Sequence, residues 1–160
     1  MGYIEELRAV VGTRPLIFVG AVAILINEEG KILLQQRRHP NGAWGIPGGL
    51  MELGESTEEV AIREIFEETG LAVRDLQLIN VYSGSDQFIV AENGDEFYVV
   101  TVAYYSNEFE GSLQVDSSES IAMAFYAPEE LPNSIVKSHR LILNEFFKKY
   151  YNELPVQMKK

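Results

Sequence analysis

The stretch GLMELGESTEEVAIREIFEETGL, Gly49 to Leu71, decides how this chain is read. Ser56 followed by Glu59 is a capping box, in which each side chain satisfies a backbone N–H of the first helical turn. A helix is therefore predicted from just after Ser56 to about Thr69, stopped by Gly70 in the left-handed conformation. Inside it, Glu64, Glu67 and Glu68 crowd into five residues. Like charges three and four apart on a helix repel by roughly a few tenths of a kcal/mol per pair. Either the helix carries that cost on a solvated face, or a cation removes it. At about 100° per residue the three carboxylates share an arc of roughly 100°. Ala61, Ile62, Ile65 and Phe66 make the expected apolar face, and the acidic stripe borders it. A purely solubilising stripe would lie opposite the core; carboxylates on the shoulder of a buried face can line a cleft floor.

Working outward, LIFVGAVAILI (Leu16–Ile26) reads as a strand, NEEG as a turn and KILLQQR (Lys31–Arg37) as a second strand. PNGAWGIPGG, ending at Gly49, is a glycine- and proline-rich loop. Downstream, LQLINVYSG, DEFYVVTVAYYSNEF (Asp95–Phe109) and IAMAFYAP read as strands, and EELP as a helical turn. IEELRAVV near the start reads as a short helix. IVKSHRLILNEFFKKYY is a second amphipathic helix, with Leu141, Leu143, Phe146 and Phe147 available to pack. Strands interspersed with helices indicate an α/β or α+β domain whose mixed sheet is covered on both faces. The expected organisation is one domain, with residues 1–15 as an N-terminal extension, 16–152 as the core and 153–160 as a frayed tail.

The 160 residues are 46% hydrophobic and 23% charged, ordinary for a globular chain. There is no cysteine, which excludes disulfides and thiolate metal sites. The longest apolar run is too short to span a bilayer as a helix, and the N-terminus carries acids without a leader-like core. No membrane partner and a cytoplasmic location are expected. The net charge of −11, with no basic face, argues against duplex nucleic acid as a partner. A small phosphorylated ligand remains compatible if divalent cations lie between the two sets of negative charge.

The stretch from Gly49 to Leu71 resembles the Nudix box, the signature of the Nudix hydrolases. Gly49, Glu55, Arg63, Glu64, Ile65, Glu67, Glu68, Gly70 and Leu71 fill its specified positions. KILLQQRR and WGIPGG before it, and ESIAMAFYAPEELP after it, are similar to the family's flanking segments, so the likeness covers roughly residues 16 to 132. The resemblance implies an α/β/α sandwich around a central mixed sheet, with a catalytic loop–helix–loop. It also implies metal-dependent water attack on a phosphoanhydride of a nucleoside diphosphate-linked substrate. Glu64, Glu67 and Glu68 would be ligands of Mg²⁺, with Mn²⁺ as a possible substitute; a backbone carbonyl of Gly48 or Gly49 is a further candidate. Glu55 would be either an added ligand or a brace for the loop, and Arg63 would orient a glutamate by ion pairing. The base would be one of the helix glutamates or Glu119.

Outside the box, Arg37 and Arg38 end a strand that leads into the glycine loop, so one of them either contacts phosphate or both are solvated. Trp44 either stacks on a base or caps the core, and Tyr82 and Phe88 are candidates for a base-binding wall. His39 and His139 lack partners at metal-ligand spacing; Lys137, His139 and Arg140 are expected on the solvent side of the last helix. SGSDQF (Ser83–Phe88) lacks the proline of an ADP-ribose subfamily and the tyrosine of a diadenosine polyphosphate subfamily. Small size and WGIPGG resemble the house-cleaning nucleoside triphosphate hydrolases, those acting on oxidised guanine nucleotides included, and the resemblance implies a triphosphate over ADP-ribose or another nucleotide sugar. A nucleotide-sensing module without turnover is disfavoured by the intact box. The resemblance further implies a possible homodimer.

Overall fold

The computed structural model describes residues 2–39, 42–115, 118 and 120–154. In chain order the elements are α1 (Tyr3–Val11), β1 (Leu16–Leu25), β2 (Ile32–Arg37), β3 (Trp44–Gly45), β4 (Gly48–Leu50) and α2 (Thr57–Thr69). Then follow β5 (Ala72–Arg74), β6 (Gln77–Tyr82), β7 (Phe88–Val90), β8 (Glu96–Ser106), β9 (Glu108–Glu110), β10 (Ser120–Tyr126) and α3 (Lys137–Lys149). No helix among the described residues is long and apolar enough to cross a membrane.

β1 organises the molecule because it is buried on both faces from Gly20 onward. Its alternate residues feed two cores, as the two-residue period of a strand requires. Ala21, Ala23 and Leu25 pack with Val60, Ala61 and Ile65 of α2. Val22 and Ile24 pack with Ile142, Leu143 and Phe146 of α3. The result is a layer of helix, sheet and helix. The larger sheet is mixed: β1 runs parallel to β8 and antiparallel to β4, while β6 and β7 pair antiparallel with β8.

β1 and β2 are joined by a tight turn in which the Asn27 side chain accepts from the N–H groups of Glu29 and Lys31. They nevertheless do not make a hairpin ladder. Apart from a bridge at Ile26 and Ile32, β2 pairs with β10 and β3 in a second sheet. Leu33 and Leu34 feed the two cores in turn, so β2 continues the same layer rather than folding back on β1. The long strand expected through Phe109 breaks at Ser106. There the hydroxyl donates to Arg74 O at 2.5 Å and accepts from Glu108 N at 3.0 Å, and β9 turns away to pair with β5.

α2 begins and ends as read: Ser56 and Glu59 form the capping box, and Gly70 adopts φ 78°, ψ 3°. Its rotation differs from the expectation. Val60, Ala61, Ile65, Glu68 and Thr69 are buried, whereas Ile62 and Phe66 are exposed. The acidic stripe therefore enters the buried arc instead of bordering it. The last helix also departs in part. Ile142, Leu143 and Phe146 are buried and Phe147 packs beside them, but Leu141 is exposed.

α1 is tied down at both ends. Tyr3 N–H donates to Glu52 Oε1 at 3.0 Å. The Arg8 guanidinium donates to the carbonyls of Gly12, Arg14 and Glu96 and lies over the Phe18 ring.

Candidate active site

Two glycines let the loop lie on the sheet beside α2. A Cβ on Gly48 would stand 2.7 Å from Val22 Cα, inside the backbone of β1. A Cβ on Gly49 would stand 2.7 Å from both Cγ and Oε2 of Glu64. The glycine edge and the Glu64 carboxylate therefore touch directly, and only the missing side chain makes room for that.

Arg63 gathers the other carboxylates. Its Nε and Nη2 donate to Glu55 at 2.5 and 2.9 Å, its Nη1 to Glu64 Oε1 at 2.8 Å, and the same atom approaches Glu67 Oε2 at 3.4 Å. Nη2 also reaches Leu50 O at 3.3 Å. Glu55 additionally accepts from Glu52 N at 2.8 Å, so it holds the loop and the arginine together. The hydrogen bond from Arg63 holds the Glu55 carboxyl below its ordinary range, and Glu55 and Glu64 push the Arg63 guanidinium pKa upward. One guanidinium shared by three carboxylates offsets part of the like-charge repulsion expected along the stripe and leaves a net negative charge for a cation to neutralise.

Glu68 is placed differently. It is 5% exposed, and its Oε2 accepts from Gln35 Nε2 at 2.7 Å. The same amide donates to Ser120 Oγ at 2.5 Å. A buried carboxylate is tolerable only with such donors. Gln35 is the residue sequence reading missed: it is 33 positions from Glu68 and carries no local signal.

Glu68, Gln35, Gly48 and Gly49 line one region of a cleft of ≈ 880 Å³, which also takes in Arg37, Arg38, Lys137, Gln87 and Phe88. That size suits a nucleotide-sized ligand. Of the residues singled out from sequence, Glu68, Gly49, Arg37, Arg38 and Phe88 thus share one cleft. Glu64 adjoins it through Gly49, and Glu67 has a side chain 56% exposed and turns outward. Trp44 lies off the cleft wall; its ring stands edge-on to Tyr126 at 5.2 Å and belongs to the α3-side core. Tyr82 likewise packs toward α3, donating to Glu145 at 2.5 Å. Glu119 lies outside the described residues.

His139 corrects the expectation of a solvent-facing residue. It is buried, and its Nδ1 accepts from Ile46 N at 2.8 Å. Burial and the nearby Arg37 charge push its pKa well below 6.5. Nδ1 is therefore unprotonated and Nε2 carries the hydrogen. A histidine in the first turn of an amphipathic helix gives no sequence signal for this.

Among the described residues, no three histidine or acidic side chains already converge as a metal cluster. The donor chemistry nonetheless fits a hard divalent cation: Glu64, Glu67 and Glu68 offer only oxygens, beside backbone opened by Gly49.

The NUDIX domain profile matches residues 17–146. The chain belongs to the Nudix hydrolase family. A putative 8-oxo-dGTP diphosphatase of Bacillus subtilis is 32% identical over 79% of this chain and 78% of its own length. An ADP-ribose pyrophosphatase of Methanocaldococcus jannaschii is 30% identical over 80% of this chain and 73% of its own. The crystal structure of a MutT Nudix hydrolase from Burkholderia pseudomallei superposes with a TM-score of 0.70 at 30% identity, covering 81% of this chain and 98% of that one. The α/β/α layering around a mixed sheet is thus the Nudix fold.

Proposed function

We propose that this Nudix hydrolase cleaves a phosphoanhydride of a nucleoside triphosphate, oxidised ones included, with Mg²⁺ held by Glu64, Glu67 and Glu68. One observation carries the reading: a single cleft joins Glu68 and the glycine edge to the basic side chains of Arg37, Arg38 and Lys137 and to the Phe88 ring. Anion, base and acidic helix are thereby served by one space. Water adds through its oxygen to a phosphorus as the bridging P–O bond breaks. The bound cation supplies charge neutralisation and a fixed orientation for the water.

The chain's own residues do the rest. Arg37 and Arg38 bind phosphate oxygens. Phe88 offers a flat face to the base. Arg63 is a positioning residue: braced by Glu55, it sets the direction of Glu64 and Glu67. Gln35 sets that of Glu68. A glutamate of the helix, or Glu119, takes the proton of the attacking water.

A product-release panel tests this: nucleoside triphosphates, oxidised guanine triphosphates, ADP-ribose, nucleotide sugars and dinucleoside polyphosphates, each with Mg²⁺, Mn²⁺ or EDTA. Turnover of triphosphates that EDTA abolishes is expected. Glu68→Gln should lower that turnover at least 10²-fold while the protein still folds, because a glutamine oxygen can still accept from Gln35. Turnover confined to ADP-ribose or nucleotide sugars would refute the substrate. Full activity in EDTA or in Glu68→Gln would refute the metal assignment.

A further inference from the structure

Away from the acidic helix, the cleft contains a polar group that neither the fold nor the hydrolytic chemistry uses. Gln87 closes the turn Ser85–Gln87 and is 6% exposed. Its backbone N–H donates to Gly84 O at 3.0 Å. Its carboxamide makes no hydrogen bond with any described residue. The amide is not sealed in the interior, for Gln87 lines the cleft and its polar atoms keep contact with that space. Thr101 on β8 lines the same cleft, is 8% exposed, and its hydroxyl likewise has no partner among the described residues. Phe88, next to Gln87 in sequence, lines the cleft too and leans on Tyr98 at 5.0 Å.

An amide that no described protein group satisfies, yet opens onto a cleft, is placed to bond a ligand there. A carboxamide presents a donor and an acceptor side by side in one plane. Adenine presents the complementary pair in N6–H and N7, whereas guanine presents two acceptors, N7 and O6, on the same edge, which is why Gln and Asn can discriminate between bases. An aromatic face beside the amide adds stacking, which tolerates any base. Stacking thus supplies grip, and the amide supplies choice.

We propose that Gln87 is the specificity-determining residue of this enzyme, reading a nucleobase edge that carries a donor next to an acceptor. This rests on the nucleotide reading above. Gln87 touches no reacting atom in this role; it selects which nucleotide is held.

Gln87→Met tests the assignment, since it keeps length and packing while removing the amide. The measurement is kcat and KM for the triphosphates of adenine, guanine, oxidised guanine, cytosine and uracil, with melting of both ligand-free proteins. The ratio of kcat/KM between best and worst base should fall by about tenfold to hundredfold, carried by KM. The ligand-free variant should melt no lower than the parent, because no protein hydrogen bond is lost. Undiminished discrimination, or a lower-melting variant, overturns the assignment while nucleotide hydrolysis stands. A parent enzyme that turns over none of these nucleotides overturns the nucleotide reading and this inference with it.

Discussion

Replacing Gly49 with alanine isolates the position of one carboxylate. The added Cβ would lie 2.7 Å from Glu64 Oε2 and Cγ, where ordinary contact begins at 3.4 Å. The carboxyl carbon of Glu64 lies closer still, so the side chain must retreat by about 1 Å. The three nearest atoms all belong to the Glu64 side chain, so the backbone need not move for them and stability should change by less than about 1 kcal/mol. A displacement approaching 1 Å at a reacting centre costs up to about 10²-fold in rate, or nearly 3 kcal/mol of activation free energy. Gly48→Ala is the contrast, because its Cβ would meet the Ala21 carbonyl and Val22 Cα, which are backbone. That variant should lose stability as well as activity. Steady-state kinetics and urea denaturation on both proteins separate the cases. If Gly49→Ala kept its kcat within twofold, the contact between the glycine edge and Glu64 would have no catalytic meaning. If it unfolded like Gly48→Ala, the expected side-chain retreat would be wrong.

Two further outcomes follow from the braces. Arg63 holds the Glu55 pKa below 4.5, so Glu55 contributes stability that is present above 4.5 and lost as pH falls through the depressed value. Arg63→Met should lose on the order of 1–2 kcal/mol, the pair being partly exposed, and its stability should fall less steeply with acid; equal acid slopes would contradict this. His139→Ala removes the acceptor of the buried Ile46 N–H and should cost about 1–3 kcal/mol by urea denaturation. Because folding keeps that imidazole neutral, the parent should lose stability as pH drops below 6.5 and the variant should lose less. A stability loss below about 0.5 kcal/mol would mean that Ile46 finds another partner.

What could be read from sequence was what neighbouring residues settle among themselves. The Ser56–Glu59 box and Gly70 bounded α2 correctly because caps are local. Nine residues at Nudix spacing carried the family. The rotation of α2 was missed because Ile62 and Phe66 look apolar, while the partner that draws Glu68 inward sits on β2. The separation of β1 from β2 was hidden for a similar reason, since two doubly buried strands joined by a tight turn resemble a hairpin. Gln87 and His139 acquire meaning only when distant elements form the cleft wall.

The parallel ladder between β1 and β8 has a consequence for how the enzyme comes into being. Leu16 pairs with Phe97 and Leu25 with Ser106, so each bond closes a loop of about eighty residues. Closing such a loop is slow and must precede the reward of pairing. The glycine edge and the whole acidic helix lie inside that loop. A growing chain therefore carries its cluster of glutamates as an unplaced charged segment until β8 has emerged. Birth of the sheet and birth of the site are one cooperative event, and a chain truncated ahead of β8 has no central ladder on which to assemble either.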